Sequence, residues 1–216
     1  MIMKNENKVA IYFDLDGTLI TYGRDFNEIF ETALGFEVDE EVHQYWTEQI
    51  LENIENIAEE PVYKAIKSTN ETFDLGIDAR KVTEKYIEEE VSSTEVNSEL
   101  VEVLKQLSDK HNIGILTNGV GKVQMKKIEE HSLQEHVDEI IVSNPEGVRK
   151  PDMEIFKLAK ERLPAENYIY IGDTYEEDIK PARKAGFKTI YVNGEKESDL
   201  TAENPEKLGK ILKNLL

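Results

Sequence analysis

Two carboxylates two positions apart, Asp14 and Asp16, stand where an apolar run ends, in Phe13-Asp14-Leu15-Asp16-Gly17-Thr18. If the run Val9 to Asp14 is a strand that continues through both, their side chains point the same way. Two such charges repel and raise one another's pKa, so the pair marks either a metal site or a dyad sharing one proton. A third carboxylate, Asp173, closes a second apolar run in Ile171-Gly172-Asp173-Thr174, and Asp178 follows shortly after. Two or three carboxylates with a carbonyl and waters make an oxygen site suited to Mg²⁺. The chain has no cysteine and only four scattered histidines, His43, His111, His131 and His136, so any metal must be held by oxygen. Oxygen ligands favour a hard cation.

Such a site attracts phosphate, and the sequence offers donors for it. Thr117-Asn118-Gly119-Val120-Gly121 joins an apolar run to an amphipathic one. This small-residue turn is expected to present backbone N–H groups at a helix start, an arrangement that binds anions. Lys150, in Arg149-Lys150-Pro151-Asp152, supplies a point positive charge just ahead of another helix.

These residues must be positioned by the elements around them. Short β-branched or aromatic runs at Val9 to Asp14, Ile113 to Thr117, Glu139 to Val142, Tyr168 to Gly172 and Thr189 to Val192 read as strands buried on both faces, as parallel strands are. Helical spacing follows four of them, at about Lys122 to Ser132, Met153 to Leu163, Glu177 to Ala185 and Pro205 to Leu215. A fifth helix, Ser98 to Lys110, precedes the second strand. The alternation predicts an α/β, Rossmann-like parallel sheet with right-handed crossovers. Ligands bind such sheets beyond the carboxyl ends of the strands, where Asp14, Thr117 and Asp173 fall.

About eighty residues separate Thr18 from the helix at Ser98. Phe26, Ile29, Phe30 and Ala33 mark one apolar helical face there; Val42, Tyr45, Trp46, Ile50, Ile54 and Ile57 mark another, and Val82, Tyr86 and Ile87 a third. Pro61 and Gly76 punctuate the stretch. The expected division is a catalytic core of residues 1–20 and 94–216 with an inserted all-helical subdomain, 21–93, over the crevice. Trp46 and Tyr45 are expected in the core of that subdomain, and His43 at its surface.

Charge and composition exclude several function classes. The net charge is −19, and from Asp25 to Glu95 twenty acidic residues face five basic ones. Nucleic-acid polymers and anionic membranes need a basic footprint, so neither is an expected partner. No apolar run approaches the ~20 residues a bilayer requires. The opening Met-Ile-Met-Lys-Asn-Glu-Asn-Lys is too polar for a signal peptide. The expectation is a soluble, cytoplasmic protein, and the charge favours a monomer.

Taken in chain order, these motifs resemble the haloacid dehalogenase-like hydrolase superfamily: Asp14-Leu15-Asp16-Gly17-Thr18 its first motif, Thr117-Asn118-Gly119 its second, Lys150 in Lys-Pro-Asp its third, and Gly172-Asp173-Thr174 with Asp178 its fourth. The helical insertion is similar to the cap of the subgroup that includes phosphoglycolate phosphatases, β-phosphoglucomutases and 5′-nucleotidases. The resemblance implies that Asp14 attacks phosphorus to form an aspartyl-phosphate and that Asp16 is the general acid and base. It implies Mg²⁺ held by Asp14, the backbone carbonyl of Asp16, and Asp173. Asp178 and Thr18 would support these groups, Asp178 by orienting a metal-bound water or Lys150. Thr117, Asn118 and Gly119 would hold phosphate oxygens, Thr117 together with the amide after it, and Lys150 would offset charge.

The second aspartate favours phosphate transfer over dehalogenation. One departure is Pro181, where related sequences often carry Gly; it reads as a first-turn helix proline. The implied substrate is a nucleoside monophosphate or another small phosphorylated metabolite. Three alternatives fit the residues less well. A phosphomutase would want more basic residues in the insertion, and a catalytically idle binding protein would not need the intact acids. A receiver-type signalling module would want an acid at the end of Ile140-Ile141-Val142-Ser143-Asn144, where there is none.

Overall fold

Residues 9–193, 196 and 198–214 are described by the computed structural model of the chain. β1 (Val9–Phe13) leads to a short strand β2 (Ile20–Tyr22), then to four helices, α1 (Phe26–Leu34), α2 (Glu40–Glu55), α3 (Pro61–Phe73) and α4 (Ala79–Ser92), and to the short strand β3 (Thr94–Val96). The chain continues through α5 (Ser98–Ser108), β4 (Asn112–Thr117), α6 (Gly121–Glu130), β5 (Glu139–Val142), α7 (Ser143–Glu146) and α8 (Met153–Arg162). It ends with β6 (Asn167–Gly172), α9 (Lys180–Lys184), β7 (Lys188–Val192), β8 (Leu200–Ala202) and α10 (Pro205–Lys213).

Six strands form one sheet in the order β5-β4-β1-β6-β7-β8, and every pairing in it is parallel. Strand side chains alternate between faces, and β1 shows it directly. Ile11 and Phe13 pack in a layer with Leu104 and Leu107 of α5 and Leu208 and Leu212 of α10. Ala10 and Tyr12 pack in the opposite layer with Phe156 and Ala159 of α8. The Tyr12 hydroxyl donates to the Ala159 carbonyl at 2.7 Å, tying strand to helix. With both faces covered, the sheet is the Rossmann-like α/β arrangement read from the sequence. β1 is flanked by β4 and β6, so the chain's direction of travel across the sheet reverses around it and opens a crevice at the carboxyl ends of these strands.

The five expected strands lie within a residue or two of their predicted bounds. β8 and the antiparallel pair β2–β3 were not expected. β2 and β3 are three residues each, too short for a periodic signal, and they fall where the expected boundaries at 20/21 and 93/94 lie. Pro61 opens α3 rather than interrupting the chain: a proline at the first helical position loses no hydrogen bond. Ile57, counted on the face of α2, lies beyond that helix's end at Glu55, in the left-handed region. The helix expected from Glu177 splits into a π-helical turn, Tyr175–Ile179, and α9, with Pro181 in the first turn of α9. Leu215, the expected end of the last helix, lies outside the described residues.

The helices α1–α4 share their own hydrophobic cluster. At its centre the Trp46 ring stacks on Phe30 at 4.4 Å and meets Tyr86 edge-on at 5.2 Å. Trp46 is therefore core, as expected. Val123 of α6 joins the cluster, so the helical unit rests on the sheet domain through α6. Among the described residues no helix is long and apolar enough to cross a membrane.

Candidate active site

β1 stops at Phe13, and the next residues turn instead of continuing the strand. The Gly17 amide donates to the Ile20 carbonyl at 2.9 Å, closing a tight loop. Gly17 sits at φ 75°, and a Cβ there would overlap the Asp173 carboxylate. The turn therefore needs glycine twice over, for its conformation and for the approach of Asp173. Because the strand ends early, Asp14 and Asp16 do not point the same way, contrary to the strand-geometry expectation. Each carboxylate has a different lysine.

Lys150 Nζ lies 2.9 Å from Asp14 Oδ1 and 2.6 Å from Asp178 Oδ1, and all three side chains are buried. Asp178 also accepts from the Tyr170 hydroxyl at 3.1 Å and the Thr174 amide at 2.9 Å. Gly172 makes room for it, since a Cβ there would stand 2.6 Å from Asp178 Cγ. Asn118 fixes the Lys150 backbone from across the crevice: its amide nitrogen donates to the Lys150 carbonyl at 3.0 Å and its oxygen accepts from the Lys150 amide at 2.8 Å. The attraction of Asp14 and Asp178 outweighs burial and raises the Lys150 pKa well above its usual value, so it is a fixed cation.

Carboxylate oxygens of Asp14, Asp173 and Asp178 lie within 4.8 Å of one another. Burial, reinforced by Asp178 and Asp16 and opposed by Lys150, pushes Asp14 up to about 8. Burial and Asp178 push Asp173 up to about 6. Three acids against one ammonium leave an excess of negative charge that a hard divalent cation would relieve, so this oxygen donor set fits Mg²⁺.

Asp16 belongs to a second cluster. Its carboxylate accepts from the Tyr22 hydroxyl at 2.5 Å, Gln124 Nε2 at 2.6 Å and Lys127 Nζ at 3.2 Å. Lys127, itself buried, also pairs with Glu90 of α4 at 2.7 Å and donates to the Tyr22 hydroxyl. Burial alone would raise the Asp16 carboxyl, but Lys127, Tyr22 and Gln124 prevail and hold it below its ordinary value.

Tyr22, Glu90, Gln124 and Lys127 were not singled out from the sequence. A signal was present for two of them: Gln124 and Lys127 fall on the same face of α6 as Val120, Val123 and Ile128. A polar pair within an apolar stripe wants a buried partner.

Thr117 is buried at the end of β4, its hydroxyl donating to the Asn118 carbonyl at 3.1 Å and accepting from Gln124 at 2.9 Å. The Gly119 amide, expected to face phosphate, already donates to Ser143 Oγ at 3.0 Å. Gly119 stands at φ 138°, and Ser143 follows directly on the end of β5. Thr18 is buried in the Asp14–Ile20 turn, and its Oγ1 has no hydrogen-bond partner among the described residues. A cavity of about 470 Å³ connects these groups. Asp14, Asp16, Thr117, Lys150 and Asp173 form its base, and Phe26, Trp46, Ile50 and Tyr86 are among the residues of its opposite wall.

Comparison with known proteins agrees with this geometry. The chain is 32% identical over 113 residues to the glyceraldehyde 3-phosphate phosphatase of Methanocaldococcus jannaschii, covering 48% of this chain and 50% of that protein. It is 29% identical over 122 residues to the pyrimidine 5′-nucleotidase YjjG of Escherichia coli, covering 55% and 54%. The matched stretch thus spans about half the length of these curated relatives. The fold resembles that of the HAD-hydrolase YfnB of Bacillus subtilis, solved bound to magnesium, with a TM-score of 0.73 and 21% identity over 96% of this chain and 99% of that one. Residues 11–192, which include every acid and lysine of the two clusters, match the family described as haloacid dehalogenase-like hydrolase. With the match extending over most of its length, the chain belongs to that family.

Proposed function

We propose that this chain is a Mg²⁺-dependent phosphatase that cleaves a small phosphomonoester, a nucleoside monophosphate or another phosphorylated metabolite, through an aspartyl-phosphate on Asp14. The observation that carries the reading is the separation of the two carboxylates of the Asp14–Asp16 pair. Asp14 faces Lys150 and the acid cluster, where a nucleophile needs charge compensation. Asp16 faces Lys127 and the cavity, where a proton donor to a leaving group must stand. The curated relatives named as phosphatases and as a nucleotidase support the same reaction class.

In this reading an Asp14 oxygen attacks phosphorus while Asp16 gives its proton to the departing alcohol. Asp16, now ionised, takes a proton from water, which attacks the acyl phosphate and frees Asp14. Asp16 must be protonated for the first step. The phosphoryl group's negative charge, arriving beside the carboxyl, favours that form. Lys150 offsets the charge of Asp14 and of the phosphoryl oxygens, held in register by Asp178 and Asn118. Thr117 and the Asn118 amide hold phosphate oxygens, while Gly119 serves the turn. Thr18 supports the Asp14–Ile20 loop through its backbone, its amide donating to the Leu15 carbonyl at 3.3 Å. Mg²⁺ would be held by Asp14, Asp173 and the Asp16 carbonyl, and when bound it supplies neutralisation of phosphoryl charge. The helices of 21–93 act as a cap that covers the leaving group, with 1–20 and 94–216 as the catalytic core.

The test is release of p-nitrophenol from p-nitrophenyl phosphate, with and without Mg²⁺, by the wild type and Asp14→Asn. Turnover that needs both the metal and Asp14 supports the reading. Turnover retained by Asp14→Asn contradicts it.

A further inference from the structure

Four large apolar side chains are notably exposed among the described residues, Phe26, Phe36, Leu51 and Leu200, and two of them, Phe26 at 47% and Leu51 at 54%, line the crevice above the acid cluster. Ile50, Ile54 and Trp46 are among the other residues of this wall. An apolar surface of this kind, open to solvent and facing reactive groups, is a recognition surface for the part of the substrate that is not phosphate.

The charges around it narrow the choice. Lys127 and Lys150 are the basic residues lining the cavity among the described residues, and both are engaged. Lys150 lies between Asp14 and Asp178 and Lys127 between Asp16 and Glu90. The one ionisable carboxylate that α1–α4 bring to the cavity is Glu90. A second anionic group on the substrate would leave water for an apolar wall with no cation to meet it, at a cost an uncharged group does not incur.

We infer that this crevice selects esters bearing a single phosphate on a neutral leaving group with a flat or branched apolar body, of the nucleobase or aryl kind, and rejects esters that carry a second anion. The inference rests on the phosphatase reading for the position of the phosphate, but not for the selection itself. It also accounts for the insertion's poverty in basic residues, which is otherwise only a compositional fact.

The experiment compares phenyl phosphate with 4-carboxyphenyl phosphate, whose carboxylate adds an anion without making the phenolate a poorer leaving group. Two readouts are taken: kcat/KM with Mg²⁺ for the wild type, and equilibrium binding to Asp14→Asn followed by the fluorescence of Trp46, the chain's one tryptophan. In both, phenyl phosphate is favoured by about tenfold or more. Leu51→Arg, a change at an exposed position, narrows that ratio by bringing a cation to the wall. Equal or better binding of the carboxylated ester by Asp14→Asn overturns the inference. A tenfold binding preference in a protein that hydrolyses neither ester leaves the selection standing and overturns the phosphatase reading alone.

Discussion

Glu90 of α4 and Lys127 of α6 meet at 2.7 Å, and through Lys127 the helical insertion reaches Asp16, 3.2 Å further on. Both Glu90 and Lys127 are buried, while the Asp16 side chain is about one-third exposed to the cavity at 32%. A contact between the insertion and the core thus runs through the residue proposed to move the proton. Lys127→Met should lower kcat by about 10²-fold, the scale of a mispositioned general acid. It should also cost about 3 kcal/mol of stability, because Glu90 is left buried and unpaired. Steady-state kinetics and denaturant unfolding on one preparation check both.

Lys150 is more completely enclosed, at 2% exposure between two carboxylates. Lys150→Arg should not rescue Lys150→Met: the guanidinium is larger than the enclosed ammonium it replaces, and seating it between Asp14 and Asp178 would push the two carboxylates apart. Both variants should fall by about 10³-fold in kcat, the upper range for loss of one charge-stabilising donor. An arginine variant within tenfold of wild type would show that charge alone suffices there.

Gly17→Ala tests the turn. The left-handed backbone at φ 75° costs about 1–3 kcal/mol for a residue with a Cβ, and the methyl displaces Asp173. The variant should need more Mg²⁺ for half-maximal activity, in contrast to Gly35→Ala, where φ is 85° and nothing lies within 4 Å of the added carbon. The second variant should lose stability without a change in metal dependence. Metal titrations of activity separate the two.

The metal-free protein should lose stability as pH rises. The folded-state pKa of Asp14 is raised from 3.8 to about 8 and that of Asp173 from 3.8 to about 6. Between those limits the folded chain holds protons that the unfolded chain has released, so unfolding is favoured progressively from about pH 4 to about pH 8. In EDTA the Tm should therefore fall over that window. Mg²⁺, binding the folded carboxylates, should raise Tm most at the alkaline end, and Asp14→Asn should flatten the EDTA profile. A rising or flat Tm for the wild type in EDTA would contradict the strained acid cluster.

Five of the six strands of the sheet were readable in the sequence because β-branched runs such as Ile113 to Thr117 leave little else to be, and the order of the motifs placed Asp14, Thr117, Lys150 and Asp173 around one crevice. The direction of the Asp16 side chain was not readable. It depends on β1 ending at Phe13, which follows from the Gly17 turn and from the contact between the Gly17 amide and Ile20. Glu90 was equally hidden, since a glutamate among Glu88 and Glu89 reads as a solvated face until its partner from α6 is in place. The three apolar faces marked in the insertion leave α3 out, and Pro61, which punctuates the stretch, opens that helix because a proline starts a helix as readily as it stops one.

In the proposed reaction Asp14 becomes phosphorylated. Protein quenched during turnover of p-nitrophenyl phosphate with Mg²⁺ and treated with borohydride, which reduces an acyl phosphate to an alcohol, should carry homoserine at position 14 in its peptide mass spectrum. Homoserine at another aspartate, or none at any position while product still accumulates, would contradict the account.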